Sequence, residues 1–464
     1  MKFDLIVVGS GPGGYVAAIR ASQLGKNVAI VERESLGGIC LNWGCIPTKA
    51  LLKSAQVFNY INHAADYGIT IQDAKADFPT IIKRSRNVAD GMSKGVQFLM
   101  KKNKITVIMG TAKLAKNNSV DVTSEDKVSN YSADHIILAT GGRAKQLPNL
   151  PIDGTSIIDY RKAMVLDTIP KKMVVVGGGA IGVEFAYFYH SLGTEITLVE
   201  YMEQGLIPRE DLDISKELTK IFKKSGIKIL ANTSVEKVDK TNSGLSVLVK
   251  NRKDGKEETI ECDVVLSAAG ISPNLEDLGL EQAGVQLDNG LVKVDEMYRT
   301  TTKGIYAIGD IVPGPALAHV ASAEGITCVE SICGHHPEAI DYNNIPGCTY
   351  CSPEVASVGY TESEAKAAGH EILVGKFPFS ASGKASAAGA KDGFVKVIFG
   401  KKYGEFLGAH MIGMNVTEMI AEVVVARKLE TTGHQIIKSI HPHPTMSEAI
   451  MEAAAAAYGE VIHL

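Results

Sequence analysis

The sequence predicts an α/β protein in which one strand–glycine turn–helix–strand unit occurs twice, and three observations carry that prediction. A short apolar strand, residues 3–8, runs into the glycine cluster Gly9, Gly11 and Gly14, and a second, residues 173–176, runs into Gly177, Gly179 and Gly182. Each cluster is followed by a helical stretch closed by a glycine, residues 15–24 before Gly25 and residues 183–192 before Gly193. Each helix then leads to another strand, residues 27–32 and 195–200. The strand ends on a glutamate 18 positions beyond the third glycine, Glu32 after Gly14 and Glu200 after Gly182.

The spacing has a physical reason. The first glycine permits a tight turn, the second lets a pyrophosphate approach the backbone, and the third lets the helix pack on the strand. The helix N-terminus then faces the phosphates, and the acid accepts hydrogen bonds from ribose hydroxyls. With strand, helix, second strand and acid in register, each unit reads as a Rossmann-like dinucleotide-binding domain. Two units imply two dinucleotides. Glu200 favours NAD over NADP, because a carboxylate repels a 2′-phosphate and no arginine follows it closely.

Composition sets the outer limits. The 464 residues suggest about three domains at ~150 residues each. The 48 Lys+Arg against 52 Asp+Glu leave a net charge of −4, too balanced for binding nucleic acid or a membrane surface by bulk electrostatics. With 45% hydrophobic and 22% charged residues, the chain is not a disordered one. Seven cysteines, an odd number, argue against a secreted disulfide scaffold and for a reducing compartment. No apolar run reaches the ~18 residues of a transmembrane helix, and the first residues read as a strand and not as a signal peptide. The cytoplasm is the expected location.

Between the two units, Cys40 and Cys45 flank Leu41, Asn42, Trp43 and Gly44, with Ile46, Pro47, Thr48 and Lys49 following. Cysteines five apart in a regular helix have Cα atoms roughly 8–9 Å apart by helix geometry, whereas a disulfide wants ~4.4–6.8 Å. Pairing them requires a distorted helix start, which Gly44 permits and Pro47 helps to set. Cysteines at a helix N-terminus are reactive. Two buried thiols, or half of a metal site, fit the same spacing.

The run from Gly37 to Lys49, beside the two glycine units, resembles the pyridine nucleotide–disulfide oxidoreductases, and within them the dihydrolipoamide-oxidising branch. That branch is the flavoprotein component of 2-oxo acid dehydrogenase complexes and the glycine cleavage system. The likeness covers essentially the whole chain, with further matches at Ala139 to Gly142, Gly304 to Asp310, Ala316 to His319, and His441 to Glu448.

The resemblance implies a Cys40–Cys45 redox disulfide and two cofactors, FAD and NAD. It implies that Gly9, Gly11, Gly14 and Glu32 hold the ADP half of FAD, with Lys49, Ala112, Thr140, Gly141, Gly142 and Asp310 along the flavin dinucleotide. Ala316, Leu317, Ala318 and His319 fall near the isoalloxazine. Gly177, Gly179, Ala180, Ile181, Gly182, Glu184 and Glu200 would hold NAD, helped by Val235 and Gly270. Lys49 and Glu184 occupy the positions of a pair near the flavin's reactive nitrogen. The partners implied are a lipoyl domain carrying dihydrolipoamide and a second copy of the chain.

The C-terminal motif also makes chemical sense by itself. Thiol–disulfide exchange needs a base, because a thiol is mostly protonated at neutral pH. Histidine is that base when a carboxylate fixes its tautomer, and His443 and Glu448 have the family's spacing for the role, with prolines on both sides of the histidine. His441 reads as secondary. By resemblance, the pair acts on the cysteines of the partner subunit.

The expected layout is a FAD-binding domain at 1–145, with a helical region at about 78–102. An NAD-binding domain follows at 146–270, then a segment completing the FAD site at 271–342. An α+β dimerisation domain occupies 343–464, with alternating apolar strands such as residues 393–399 and helices at about 416–427 and 447–458. Cys328, Cys333, Cys348 and Cys351 lie close in sequence but are expected as buried free thiols and not a zinc site, and Cys262 as core. The resemblance implies one strand over residues 348–358, in which Cys348 and Cys351 would point to opposite faces. No metal is expected. Mercuric reductase carries a C-terminal cysteine pair where this sequence ends Val461, Ile462, His463, Leu464. Glutathione reductase places basic residues where this one has Glu200. Trp43 stands where the family commonly has valine, the arginines common after Gly270 are absent, and residues 185–190 are unusually aromatic.

Overall fold

The structure, a computed structural model, describes residues 2–242 and 244–464. It divides into two compact units, each assembled from three stretches of chain. The first comprises Met1–Leu51, Pro79–Lys145 and Ile271–Ile340, the second Leu52–Phe78, Gln146–Gly270 and Asp341–Leu464.

The first unit is built on a seven-stranded sheet. Lys2–Val8 lies between Val28–Glu32 and Lys127–Leu138, parallel to both, with Thr106–Met109 and Ile305–Ala307 continuing the parallel pairing. Ser119–Ser124 and Thr111–Ala115 extend it antiparallel. The apolar runs are continuous because the strands are covered on both faces: every residue of Val28–Glu32 is buried. Each wholly buried valine or isoleucine is worth ~1.5–3 kcal/mol of transfer free energy. The helix Phe78–Lys102 ends on a basic last turn, Lys101 and Lys102, where the helix dipole favours cations.

The second unit repeats the theme with a five-stranded parallel sheet ordered Lys228–Leu230, Glu195–Val199, Lys172–Val176, Val264–Ser267, Ile157–Ile158. A three-stranded meander, Thr233–Thr241, Gly244–Asn251 and Glu257–Cys262, lies beside it. The C-terminal part carries a separate antiparallel sheet of five strands. Residues 348–358 form two of its strands, Gly347–Thr349 and Glu354–Gly359, not one, because the chain turns between them and pairs them antiparallel.

The strand expected to alternate, Phe394–Gly400, is buried at every position. Its pattern is continuous because both faces are covered. Helix Glu448–Ala457 packs so closely on one face of the sheet that a Cβ on Gly375, opposite Val397 in the neighbouring strand Ile372–Pro378, would lie 1.9 Å from the Ala453 carbonyl oxygen. On the other face, Lys396 reaches Asp211 at 2.8 Å and Asp213 at 3.2 Å, at the start of helix Leu212–Lys224.

Candidate active site

The two glycine turns share one backbone. Gly9 and Gly177 sit at φ +100° and +108°, which only glycine adopts without strain, and each amide donates at 2.8 Å to the next strand, to Val31 and Val199. A Cβ on Gly14 or Gly182 would lie 1.9 Å from the carbonyl oxygen of Gly9 or Gly177, so the helix seats on the strand only without one. At Gly11 and Gly179 a Cβ would meet nothing within 4 Å. These two residues cap helices Pro12–Gln23 and Ala180–Ser191, and neither makes a side-chain cap. Open space against uncapped helix amides fits a pyrophosphate.

The two acids end their strands in the same way. Glu32 Oε2 accepts from the Ser10 amide at 3.0 Å and Oε1 from the Glu34 amide at 2.9 Å. Glu200 Oε2 accepts from the Gly178 amide at 2.6 Å and Oε1 from the Met202 amide at 2.7 Å. Each carboxylate is thereby fixed at the rim of its turn. Beyond Glu200, the Arg252 guanidinium lies 3.6 Å from the Tyr201 ring centroid, a cation that proximity in sequence did not reveal.

Cys40 and Cys45 form a disulfide with Cα atoms 4.7 Å apart. The distortion is a complete break: helix Gly38–Trp43 ends at Gly44, and helix Cys45–Asn62 starts afresh with Cys45 as its first residue. Asn42 holds the short helix by donating to the carbonyls of Leu36 and Gly38. The segment is pressed onto the first glycine turn, since a Cβ on Gly38 would come 2.6 Å from Gly11 Cα. Ser10 is the rivet. Its hydroxyl donates to Glu32 at 2.6 Å and accepts from the Gly37 amide at 3.2 Å. Trp43 donates to Glu34 at 3.0 Å while the Arg86 guanidinium stacks on its ring, 4.4 Å from the centroid.

The other residues singled out in the first unit have partners of their own. Thr140 Oγ1 donates to the Asn274 carbonyl at 2.7 Å, and the Asn274 side chain donates back to the Thr140 carbonyl at 3.0 Å. Burial raises the Asp310 carboxyl above its ordinary range, against a hydrogen bond from the Gly142 amide. Asp310 belongs to a one-turn helix, Gly309–Ile311, whose first amide donates to buried Glu324 at 2.6 Å. Leu317 caps helix Ala318–Ile332, so Ala316 to His319 gather at its N-terminus. Ala112 lies on edge strand Thr111–Ala115.

In the second unit, Glu184 is buried on helix Ala180–Ser191 and accepts from the Tyr350 amide at 2.9 Å. Val235 is buried on the meander, its carbonyl accepting from Asn149, and Gly270 follows the last sheet strand at φ +107°. His443 Nδ1 donates to Glu448 Oε1 at 2.8 Å, and the Thr445 amide donates to Oε2 at 2.8 Å. Burial opposes ionisation of Glu448, but the Thr445 amide and His443 outweigh it and hold the carboxyl below its ordinary range. With Nδ1 engaged as donor, Nε2 of His443 is the basic nitrogen. Its side chain is 78% exposed in the single chain.

Residues 3–325 match the family described as pyridine nucleotide-disulphide oxidoreductase, and residues 345–454 match that family's dimerisation domain. The chain belongs to the pyridine nucleotide-disulphide oxidoreductase family. It is 48% identical to a dihydrolipoyl dehydrogenase of Rhizobium etli, over 100% of this chain and 99% of that one. It is 47% identical to a dihydrolipoyl dehydrogenase of Zymomonas mobilis, over 99% of both. Among solved structures it superposes on LpdA of Mycobacterium tuberculosis with a TM-score of 0.89, at 28% identity over 97% of this chain and 98% of that one. The HOCl-induced flavoprotein disulfide reductase RclA of Escherichia coli superposes with a TM-score of 0.87, at 26% identity over 97% and 99%.

In this oxidoreductase the other five cysteines are thiols outside any disulfide. Burial pushes the Cys262 thiol up to about 11 and Cys328 well above its ordinary value, so these are inert. Cys333 and Cys348 are half-buried, not buried as expected, since one ends a helix and the other lies on edge strand Gly347–Thr349. Among the described residues, no group of three or more His, Cys, Asp or Glu is arranged to hold a metal, and no helix is long and apolar enough to cross a membrane. Ser10, Arg86, Asn274, Glu324 and Glu422 were missed. Ser10 lies inside the first glycine cluster, at a position whose side chain the glycine spacing leaves unspecified, and the others act on residues distant in sequence and belong to no motif.

Proposed function

We propose that this oxidoreductase is a dihydrolipoyl dehydrogenase that oxidises dihydrolipoyl groups with NAD as the electron acceptor. One observation carries the reading: a disulfide, Cys40–Cys45, is pressed against a dinucleotide turn, in a chain nearly half identical to proteins of that name. The family uses FAD and NAD.

FAD would be held by Gly9, Gly11, Gly14 and Glu32, with Lys49, Ala112, Thr140 to Gly142, Asp310 and Ala316 to His319. NAD would be held by Gly177, Gly179 to Gly182, Glu184, Glu200, Val235 and Gly270. In domain terms, 1–145 and 271–342 serve the flavin, 146–270 the nicotinamide nucleotide, and 343–464 the subunit interface. The chemistry these cofactors supply when bound is two-electron: acceptance of the pair from a dithiol and transfer of hydride to nicotinamide.

The chain's own residues do the rest. His443, its tautomer fixed by Glu448, takes the proton of one dihydrolipoyl thiol at Nε2. The thiolate attacks Cys40 Sγ, the Cys40–Cys45 bond breaks, and its electron pair goes to Cys45 Sγ. Cys45 is the first residue of an 18-residue helix, whose N-terminus favours the thiolate. The second lipoyl thiol, deprotonated in turn, attacks the mixed disulfide, releasing the lipoyl disulfide and leaving both cysteines reduced. The match to a dimerisation domain supports a homodimer, in which His443 and Glu448 of one subunit serve the cysteine pair of the other. The lipoyl-bearing partners are those of 2-oxo acid dehydrogenase or glycine cleavage complexes. Five cysteines kept as thiols favour the cytoplasm.

The test is NADH formation from dihydrolipoamide by the flavin-loaded dimer. Cys45→Ser should abolish turnover. His443→Gln should keep the flavin and lower turnover about 10²- to 10⁴-fold, the usual worth of a general base. Full activity in Cys45→Ser, or no dihydrolipoamide oxidation by the parent, would overturn the reading.

A further inference from the structure

The turn that carries His443 holds a second histidine–glutamate pair that the reaction above leaves unused. His441 Nε2 lies 2.8 Å from Glu422 Oε1, and its Nδ1 lies 3.1 Å from the Ser439 carbonyl oxygen. Both partners are acceptors. Each ring nitrogen must therefore carry a proton, which makes the ring an imidazolium. His443 differs, with only Nδ1 engaged.

The surroundings agree. The hydrogen bond to Glu422 raises His441 above the ordinary imidazole value, against burial, with further help from Ser439 and from the charge of Glu448. The contribution of such a clamp to stability is complete below about pH 6.5 and fades as pH rises through the raised value. The facing titratable groups are Glu422, on helix Val416–Lys428, and Glu448, at the start of helix Glu448–Ala457. The His441 side chain is only 7% exposed and that of Glu422 36%, so water screens the carboxylate better than the cation. Pro442 alone separates the two histidines, so their Cα atoms are at most ~7 Å apart.

We propose that His441 is a positioning residue for dithiol oxidation: clamped as an imidazolium between Glu422 and Ser439, it fixes the His443 turn and sets a positive charge beside the His443–Glu448 pair. That charge adds to the Thr445 amide and His443 in keeping Glu448 ionised, and it opposes a second positive charge on the turn. The inference rests on the reading of His443 as the base.

The experiment uses the flavin-loaded dimer with isotope-labelled histidine. Ring-nitrogen NMR should show His441 doubly protonated at neutral pH, and Glu422→Gln should bring its titration down toward the ordinary imidazole range. In kcat/KM for dihydrolipoamide, His441→Gln should move the acid limb to higher pH by roughly half a unit, the size expected for one partly screened charge. His441→Lys should restore the limb by restoring the charge, which a merely structural role would not do. A singly protonated His441 at neutral pH, an unmoved limb in His441→Gln, or a Lys variant indistinguishable from Gln each overturns the proposal. Absence of turnover in the parent would remove the functional reading alone. The His443 titration midpoint, compared by NMR between parent and His441→Gln, then decides: a rise in the variant supports the proposal and no change overturns it. If His441→Gln does not fold, the ring protonation of His441 in parent and Glu422→Gln decides.

Discussion

The two glycine turns are near copies in backbone and unlike in surroundings. Both set their first glycine in the left-handed region, both bring the third against the carbonyl of the first, and both fix an acid on two loop amides. The second position differs. Ser10 ties Glu32 to Gly37 and so fastens the disulfide segment to the first turn. Gly178 stands at that position in the second turn, and a Cβ there would lie 3.0 Å from Glu200 Oε2. The first turn is further packed by helix Ala318–Ile332, where a Cβ on Gly325 would come 2.7 Å from the Gly13 carbonyl oxygen. The same dinucleotide frame is thus a closed, riveted seat in one unit. In the other, its rim carries exposed Tyr201 beneath Arg252. A permanently held cofactor suits the first and an exchanging one the second.

The strongest test of that contrast changes the same glycine in both. In Gly14→Ala and Gly182→Ala the added methyl meets a carbonyl oxygen at 1.9 Å, an overpacking worth ~1–3 kcal/mol or more. Gly14→Ala should lose flavin, read as the flavin-to-protein ratio after purification, and with it all turnover. Gly182→Ala should keep its flavin and raise KM for NAD by ~10-fold or more. Equal flavin loss in both would break the contrast.

A smaller effect is expected at the rivet. Ser10 is wholly buried, and Ser10→Ala leaves the Glu32 carboxylate one donor short, a loss of about 1–2 kcal/mol. It should appear as a lower Tm and faster flavin release on dilution. The reverse graft, Gly178→Ser, should not strengthen the second unit, because its Cβ crowds Glu200. It should weaken NAD binding.

Much of this frame was legible in the sequence because its conditions are local. Three glycines and an acid at fixed spacing state the turn, the helix start and the carboxylate that ends the next strand within some 30 residues. The disulfide spacing was legible too, with a distortion that Gly44 permits, but not that the distortion would be a complete break between two helices. What escaped was contact between distant residues. Arg86 stacks on Trp43, Glu324 holds Gly309, and Glu422 clamps His441, and none of these pairs has a periodicity to announce it. Strand Phe394–Gly400 misled for a related reason. Lys396 reads as solvent-facing until three carboxylates, Asp211, Asp213 and Glu362, are brought around it.

The smallest expected effect concerns the two acids. Glu32→Gln and Glu200→Gln both keep an oxygen acceptor for one of the two loop amides and both remove a charge. In the first unit that should loosen flavin slightly and leave the choice of nucleotide unchanged. In the second it should lower the preference for NAD over NADP by ~10-fold, because the repulsion of a 2′-phosphate goes with the charge. Arg252 sharpens the point, since it is a cation beside the residue that follows Glu200. The double change Glu200→Gln, Arg252→Ala should lose part of the gained NADP activity while leaving NAD turnover near that of Glu200→Gln. Ratios of kcat/KM for the two nucleotides measure this directly. If Glu32→Gln shifted the ratio as far as Glu200→Gln, the assignment of one turn to each dinucleotide would be wrong.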